Sequence, residues 1–352
     1  MSVSYTWVGW NAHKRRYDAA MLACVTVYLA GFVGVTMLLP GTRNMSLPIV
    51  LIRALGTCAL VMLHVALAIG PLARLSTKFA PLLYNRRHLG VLTFCIGAAH
   101  LVLATVWYHG FGTKLAPASV LASNPHYESF TMFPFEVLGV LAAAILFVMA
   151  ATSHDFWLKN LSARTWKNIH MLVYSAYALL VLHVALGALQ LEKSLVYPAF
   201  LGIGALALAS LHIAAGLRER RKDAPAPASE LDGWIDAGEL ATIPQSRARV
   251  VCAPAGEGRP GERIAVYNDN GTARAISNVC AHQGGPLGEG KIIGGCVTCP
   301  WHGYQYEPVT GCSPPPFTER VAKYEVRVSA GRVFVNPSGK LSSPRAEGAG
   351  HA

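Results

Sequence analysis

Two cysteines and two histidines lie in a pair of short segments towards the carboxyl end of the chain. The first segment reads Cys280-Ala-His282, and after sixteen further residues the second reads Cys299-Pro-Trp-His302. Two thiolates and two imidazoles can hold a tetrahedral zinc ion, but zinc ligand pairs are usually two to four residues apart, and Cys-x-His is tighter than that. The same side chains suit a [2Fe–2S] centre in which two thiolates hold one iron and two imidazoles the other. The spacing favours the iron–sulfur centre.

The sequence around these four residues resembles the Rieske family over about residues 249–337. The stretches CAHQGGPLGEG, GCVTCPWHGYQYEPVTGCSPPP and YEVRVSAGRVFVNP carry the resemblance. It implies that Cys280, His282, Cys299 and His302 hold the cluster. It also implies that no disulfide joins the two loops, because Gly285 and Trp301 stand where respiratory-complex members have cysteines. With fewer hydrogen bonds to the cluster sulfurs, we expect a reduction potential near the low end of the family, about −150 mV.

A second set of candidate ligands lies in the apolar part of the chain. Six histidines fall in or at the ends of long apolar runs: His64, His88, His100, His170, His183 and His212. Histidine inside a membrane is costly enough to be interpreted as functional. For any single one an interhelical hydrogen bond is an alternative, but several on facing helices favour axial ligation of b-type haem, whose iron takes two imidazoles.

The apolar part resembles the ferric-reductase-like transmembrane family over about residues 50–190. This family includes NADPH oxidase cores and bacterial haem subunits of methionine sulfoxide reductase systems. Its pattern of Trp, a basic residue and His, with a second His thirteen residues later, matches Trp166, His170 and His183. The stretch NRRHLGVLTFCIGAAHLVL matches the preceding part, so the resemblance implies that His100 is a third haem ligand.

Depth in the membrane suggests how these histidines pair. At about 1.5 Å of rise per residue, His100 lies about 20 Å and His183 about 25 Å from the predicted cytoplasmic ends of their helices, so the two can share an outer haem. His170 lies about 6–12 Å deep and His64 about 13 Å deep, which predicts that they share an inner haem. His88, about 2 Å deep, is the alternative to His64. We therefore expect one or two haems b.

The composition indicates a membrane protein. Hydrophobic residues make up 53% of the 352 residues and charged residues 14%, against about 25% charged in a soluble domain. Apolar runs predict an all-α bundle of six spans, at roughly 18–40, 47–72, 88–109, 130–152, 167–189 and 196–217. The loops on one side carry 14 Lys and Arg and those on the other side 3. The positive-inside rule then places both termini in the cytoplasm of a bacterial-type inner membrane.

The chain changes character after the last apolar run. We predict a haem-binding membrane domain over 1–217, a linker over 218–234, a small all-β Rieske domain over 235–340 and a disordered tail over 341–352. The net charge of +11 lies mainly in loops between apolar runs, which is not the pattern of a nucleic-acid-binding surface. A Gly-rich phosphate loop of the G-x-G-x-x-G kind is absent from the sequence, so we expect no nucleotide-binding module.

These features together predict an electron-transfer component without a catalytic acid or base of its own. We expect electrons to pass between a cytoplasmic Rieske cluster and haems b in the membrane, within a larger redox system. The expected partners are a cytosolic electron-donor protein, other redox subunits and membrane lipids. One alternative is a membrane-anchored Rieske redox sensor, and another is a subunit that delivers electrons to a separate oxygenase.

Overall fold

The structure, a computed structural model, describes most of the chain and divides it into two compact units. The described residues are 12–39, 42, 44–83, 85–130, 132–161, 163–190, 195–222, 233–253, 261–282, 284–301, 303–315 and 317–342. One unit holds Arg15–Gly70 and Arg86–His212, and the other holds Met1–Lys14, Pro71–Asn85 and Ile213–Ala352. His302, one of the four predicted cluster ligands, lies outside the described residues.

The first part of the chain is helical. Its helices are α1 (Ala12–Leu38), α2 (Leu47–Leu75), α3 (Ala80–Leu83), α4 (Arg86–His109), α5 (Ala116–Ala122), α6 (Phe135–Ala151), α7 (Asp155–Asn160), α8 (Ala163–Met171), α9 (Val173–Leu186) and α10 (Val196–Lys222). Within the described residues, five stretches are long and apolar enough to cross a membrane: Lys14–Leu38, Leu47–Leu75, Arg86–His109, Thr165–Gln190 and Val196–Arg220. The chain is therefore an integral membrane protein.

The sixth predicted span, 130–152, is not confirmed at that length. Helix α6 has 17 residues, which rise about 25 Å at ~1.5 Å each, and the hydrocarbon core of a bilayer is about 30 Å thick. Proline disfavours helical backbone in the residue before it, and α6 accordingly begins directly after Pro134. The apolar residues that precede Pro134 thus add no turn to the helix.

Helix α6 is nevertheless part of the helical packing. It packs along α9 and also against α4, and the side chain of Ala142 in it is fully buried. Large apolar side chains on other helices are exposed, among them Val27 at 72%, Val102 at 62% and Phe200 at 65%. Exposed apolar surface of this extent is unusual on a water-soluble monomer and fits contact with lipid.

The second part of the chain is a small antiparallel β domain, as predicted. Its strands are β1 (Ile235–Glu239), β2 (Ala248–Cys252), β3 (Arg263–Asp269), β4 (Thr272–Ser277), β5 (Lys291–Ile293), β6 (Cys296–Thr298), β7 (Gln305–Tyr306), β8 (Lys323–Tyr324), β9 (Val326–Ser329) and β10 (Arg332–Val335). They form three sheets with the orders β1-β10-β9, β2-β3-β4-β8 and β5-β6-β7.

Strand β3 separates the two hydrophobic cores of the β domain. Because successive side chains of a strand point to opposite faces, Ile264 and Val266 enter one core, and Ala265 and Tyr267 enter the other. All four side chains are fully buried. The second core also contains Cys280 and Cys299 together with the aromatic side chains around them. Two of the predicted cluster ligands, Cys280 and Cys299, therefore lie in one core.

The structure extends a short way into both the predicted linker and the predicted tail. Helix α10 continues to Lys222, and residues 223–232 lie outside the described part of the chain. At the other end, the Ser342 carbonyl accepts a hydrogen bond from Arg320 at 2.7 Å, and the Ser342 hydroxyl donates to the Thr310 carbonyl at 2.5 Å. The packed chain thus extends two residues into the predicted tail, and residues 343–352 are not described.

Candidate iron–sulfur and haem sites

The two cysteine segments fold into loops with the same backbone hydrogen bonds. In the first loop, the Cys280 N–H donates to the carbonyl five residues later at 2.9 Å, and the Cys280 carbonyl accepts from Gly284 at 2.7 Å. In the second, the Cys299 N–H donates to the carbonyl five residues later at 2.7 Å, and its carbonyl accepts from Gly303 at 2.9 Å. Gly284 and Gly303 have φ of 72° and 73°, a conformation that favours glycine. Each loop therefore presents its cysteine in the same way.

Aromatic side chains enclose the predicted ligands. The imidazole of His282 stacks on the ring of Tyr304, with centroids 4.4 Å apart and planes 8° apart. The ring of Phe317 meets the ring of Tyr304 edge-on, with centroids 4.9 Å apart. Cys280 and Cys299 are 2% and 1% exposed. Buried thiols and an oriented imidazole fit a cluster that must be shielded from water.

The absence of a side chain at Gly285 makes room for the thiol of Cys299. A Cβ at Gly285 would lie 2.7 Å from the Cys299 sulfur and 3.2 Å from the Trp301 ring. The indole of Trp301 therefore covers the first loop at the position where the resemblance excluded a disulfide. All eight cysteines lie in the described part of the chain, and no disulfide joins any of them.

The donor set of two thiols and two imidazoles is the set that a Rieske cluster takes, because each of its irons has two protein ligands. The nearby Cys296 lies in strand β6, outside both ligand segments of the sequence pattern. Burial, and secondarily the charge of Glu307, raises the pKa of its thiol to about 11.

A hydrogen bond to one of the predicted ligands was missed from the sequence. The Tyr306 hydroxyl lies 3.3 Å from the Cys280 sulfur. Burial of the ring, and then the neighbouring Cys280, raises the pKa of Tyr306 far above its usual range. If Cys280 is a thiolate ligand of the cluster, only the phenol has a proton to donate in this contact. The signal that could have found it is the pair of tyrosines, Tyr304 and Tyr306, directly after the second loop.

Replacing Tyr306 with phenylalanine should lower the reduction potential of the cluster. A donor to a ligating sulfur stabilises the reduced, more negative state, and a net hydrogen-bond contribution of about 0.5–1.5 kcal/mol corresponds to about 20–60 mV for one electron. A redox titration followed by electron paramagnetic resonance measures the shift. Tyr267→Phe is the control, because that buried phenol donates to the Leu287 carbonyl. Equal potentials in all three proteins would rule out this role for Tyr306.

The structure brings two of the predicted haem ligands together. The ring centroids of His100 in α4 and His183 in α9 are 6.4 Å apart, and the ring planes are 81° apart. The Nδ1 atom of His100 lies 2.9 Å from the Ile52 carbonyl oxygen in α2. The Nδ1 atom of His183 lies 2.8 Å from the Phe135 carbonyl oxygen in α6. Both carbonyls accept from Nδ1, which leaves each Nε2 as the nitrogen with a lone pair.

This pair of imidazoles fits haem iron. A metal–imidazole bond is about 2.0–2.1 Å long, so two rings on opposite sides of one iron have centroids roughly 6 Å apart, close to the distance between His100 and His183. Metal-bound histidines almost always donate their other N–H to a carbonyl or carboxylate, as both rings do. Each ring also lies against a glycine of a neighbouring helix, Gly56 or Gly139.

The structure places the predicted ligands of the inner haem on different partners. Nδ1 of His64 lies 2.8 Å from the Leu60 carbonyl oxygen of its own helix, and Nε2 lies 2.9 Å from the Tyr177 hydroxyl. The ring of His170 stacks on Trp166 with centroids 3.9 Å apart. Among the ring contacts between described residues, none joins His64 to His170.

The alternative ligand His88 also has a protein partner. Its Nδ1 atom lies 2.9 Å from a carboxylate oxygen of Asp18 in α1. His170, the other predicted ligand of the inner haem, has its Nε2 atom 3.3 Å from the Thr152 hydroxyl. Asp18, Thr152 and Tyr177 are thus neighbours of candidate ligands that the sequence pattern did not single out, because their contacts join residues 18 to 113 positions apart in the chain. The inner haem remains a prediction.

Comparison with protein families assigns the two parts of the chain separately. The family model for the ferric reductase like transmembrane component matches residues 54–181. The model for the Rieske [2Fe–2S] domain matches residues 237–325. The first match contains His64, His100 and His170, and the second contains both cysteine loops.

Curated relatives of this chain include proteins named as haem-binding subunits. The protein-methionine-sulfoxide reductase heme-binding subunit MsrQ of Bordetella pertussis is 34% identical over 156 residues, which cover 44% of this chain and 70% of the relative. The MsrQ of Ralstonia nicotianae is 34% identical over 131 residues, which cover 37% of this chain and 55% of the relative. The chain therefore spans between about half and 70% of the length of these relatives.

Two solved structures are similar to part of this chain. A complex of reduced oxygenase and oxidized ferredoxin in carbazole 1,9a-dioxygenase is 26% identical, covering 31% of this chain and 98% of that chain with a TM-score of 0.28. The ferredoxin of Sphingomonas yanoikuyae B1 is 25% identical, covering 29% of this chain and 96% of that chain with a TM-score of 0.25.

The family matches also supply the cofactors. A Rieske domain implies a [2Fe–2S] cluster, and a ferric reductase-like domain with haem-binding relatives implies haem b. Both are one-electron redox centres, so the chain has a role in membrane electron transfer. It belongs to the ferric reductase-like transmembrane family and carries a Rieske [2Fe–2S] domain after its membrane helices.

Proposed function

We propose that this chain conducts single electrons between a Rieske cluster on the cytoplasmic side and haem b within the membrane. The observation that carries the proposal is the presence, in one chain, of two paired thiol loops and of an imidazole pair with centroids 6.4 Å apart. When bound, the cluster and the haem each supply a one-electron couple. Such a chain needs no acid–base catalyst of its own.

The residues of the β domain hold and tune the cluster in this proposal. Cys280 and Cys299 supply the thiolates, and His282 supplies an imidazole oriented by its stacking on Tyr304. His302 supplies the second imidazole, on the basis of the sequence pattern. Tyr306 donates a hydrogen bond to the Cys280 sulfur, and the buried surroundings keep water from the site.

The residues of the helices hold the haem. His100 and His183 supply the axial ligands of one haem, and the backbone carbonyls of Ile52 and Phe135 fix their rings. A second haem at His170, with His64 or His88, is the weaker part of the proposal. It would require His64 to exchange its Tyr177 hydroxyl bond, or His88 its Asp18 partner, for iron.

The proposed orientation has both termini and the β domain in the cytoplasm. The distribution of 14 Lys and Arg on one side against 3 on the other supports it. It requires six crossings, so that α6 would cross as a short span. A hydrophobic segment shorter than the bilayer is accommodated by local thinning at modest cost. Packing of α6 along α9 supports its place in the bundle.

The proposed partners follow from the two ends of this conduit. The relatives are named as haem-binding subunits of a protein-methionine-sulfoxide reductase, and we propose by analogy that a separate redox protein meets this chain at the far face. A cytosolic electron-donor protein would meet the β domain. Lipid surrounds the exposed apolar faces of the helices.

Transfer across a vesicle membrane tests the proposed function. The full chain is reconstituted with the β domain outside, ferricyanide is trapped inside, and a reduced soluble ferredoxin is added outside. Bleaching of the ferricyanide should require both centres, because neither reagent crosses the bilayer. Cys299→Ser, which removes a cluster ligand, should abolish the bleaching. An unchanged rate in that variant would contradict the conduit, and a chain whose cluster is reduced while its haem is not would favour the sensor or oxygenase-delivery alternatives.

A further inference from the structure

Each of the two paired imidazoles lies on a glycine of a neighbouring helix. A Cβ added to Gly56 in α2 would lie 3.0 Å from both Cε1 and Nδ1 of His100. A Cβ added to Gly139 in α6 would lie 2.9 Å from both Cε1 and Nδ1 of His183. The same two ring atoms therefore meet the glycine in both places.

The hydrogen bonds of the two rings repeat in the same way. His100 reaches the Ile52 carbonyl, and His183 reaches the Phe135 carbonyl; in both cases the histidine is 48 residues after the carbonyl. In both cases the glycine follows the carbonyl residue by four positions. The sequences concerned, IRALG and FEVLG, share only their last two residues. The repetition therefore belongs to the arrangement of helix pairs α2–α4 and α6–α9, and it becomes visible only in three dimensions.

The geometry of an α-helix explains why glycine stands at these positions. The carbonyl of residue i accepts the N–H of residue i+4, and the side chain of residue i+4 lies on the same face, beside that carbonyl. A carbonyl oxygen has a second lone pair, which a Cβ four residues later would help to cover. With glycine there, an imidazole from another helix can approach the carbonyl. Glycine is unfavourable inside a helix relative to alanine, so its presence at both positions calls for a packing or functional reason.

We propose that Gly56 and Gly139 are positioning residues for the two axial imidazoles of one haem b. Each glycine opens a backbone carbonyl to Nδ1–H of a histidine, which fixes the tautomer, the ring orientation and the basicity of the coordinating Nε2. The proposal rests on the ligand roles proposed above for His100 and His183. It adds two residues of α2 and α6 to the site, although neither contacts iron.

Alanine substitutions with a matched control test the proposal. In Gly56→Ala and Gly139→Ala the new methyl group meets the ring, so we expect the affinity for haem to fall about 10–100-fold, the range found when partners of metal ligands are lost. The haem that remains should have an altered low-spin electron paramagnetic resonance spectrum and midpoint potential. Gly90→Ala is the control, because a Cβ at Gly90, in the same helix as His100, meets nothing within 4 Å in the described structure. The Rieske signal in the same membranes reports whether each variant folds.

The outcomes separate the positioning role from the ligand roles. Suppose that His100→Ala and His183→Ala lose the haem while both glycine variants keep its content, spectrum and potential unchanged. That result would overturn the positioning role alone. Retention of that haem in both histidine variants would overturn the ligand assignment itself. If a glycine variant does not accumulate, the test is made on the unmutated chain by pulsed electron paramagnetic resonance of the haem in D₂O. The spectrum should show a strongly hydrogen-bonded deuteron on Nδ1 of both axial imidazoles. A deuteron coupling typical of an N–H without a hydrogen bond would contradict the proposal.

Discussion

His100→Ala and His183→Ala should each remove the same haem b from the membrane helices. In the proposed site each imidazole would supply one of the two axial bonds to iron, and the two ring centroids lie 6.4 Å apart. Losing even a supporting partner of a metal ligand costs about 10–100-fold in affinity, so losing the ligand itself should cost at least that much. The reduced-minus-oxidised absorbance spectrum of purified protein, normalised to protein content, measures the loss.

His212→Ala is the matched control for this experiment. His212 is also in a membrane-spanning helix, but its Nδ1 atom bonds the Leu208 carbonyl of its own helix at 2.9 Å, and its ring meets Tyr174 edge-on. The haem content of this variant should be unchanged. Full haem in both His100→Ala and His183→Ala would show that this pair does not bind iron, and it would remove the basis of the proposed conduit in the membrane.

Cys280→Ser and Cys299→Ser should each abolish the [2Fe–2S] cluster. Both thiols are nearly fully buried within one core, and each is the only cysteine of its loop. Because metal binding contributes to the folding free energy of small metal-binding domains, we also expect lower resistance of the β domain to heat and proteolysis. The rhombic electron paramagnetic resonance signal of the reduced protein measures the cluster, while the haem absorbance should persist.

Cys296→Ala is the control for the cluster ligands. Cys296 lies in the strand that leads into the second loop and is 2% exposed, so its burial matches that of the proposed ligands. It does not stand at a ligand position of the Cys-x-His and Cys-x-x-His segments, so the cluster signal should survive in this variant. Survival of the signal in Cys299→Ser but not in Cys296→Ala would show that the wrong cysteine has been assigned.

Local sequence predicted the β domain and its loops well. The four predicted cluster ligands lie in two segments of three and four residues, and the described Cys280, His282 and Cys299 lie in paired loops of one core. Short spacings of this kind constrain the geometry before the rest of the chain folds. The hydrogen bond from Tyr306 could not be predicted, because it joins a strand to a cysteine 26 residues away.

The number of spans shows the limit of a prediction from apolar composition. Hydropathy registers the apolar residues before Pro134 as part of a sixth span, but a proline disfavours helix in the residue before it. Helix α6 is consequently 17 residues long. A window that averages hydropathy does not register where a helix begins.

By itself, the sequence determined that the chain has membrane helices, a Rieske domain and histidines suited to haem. Apolar runs and closely spaced ligands express these properties locally, so no knowledge of distant neighbours is needed. Helix depth also predicted that His100 pairs with His183, as the structure has it, but only the tertiary structure decided that His64 meets Tyr177 and not His170. Such pairings depend on the rotation and axial shift of packed helices. The importance of Gly56 and Gly139 arises for the same reason, because a missing Cβ matters only once a ring from another helix lies against it.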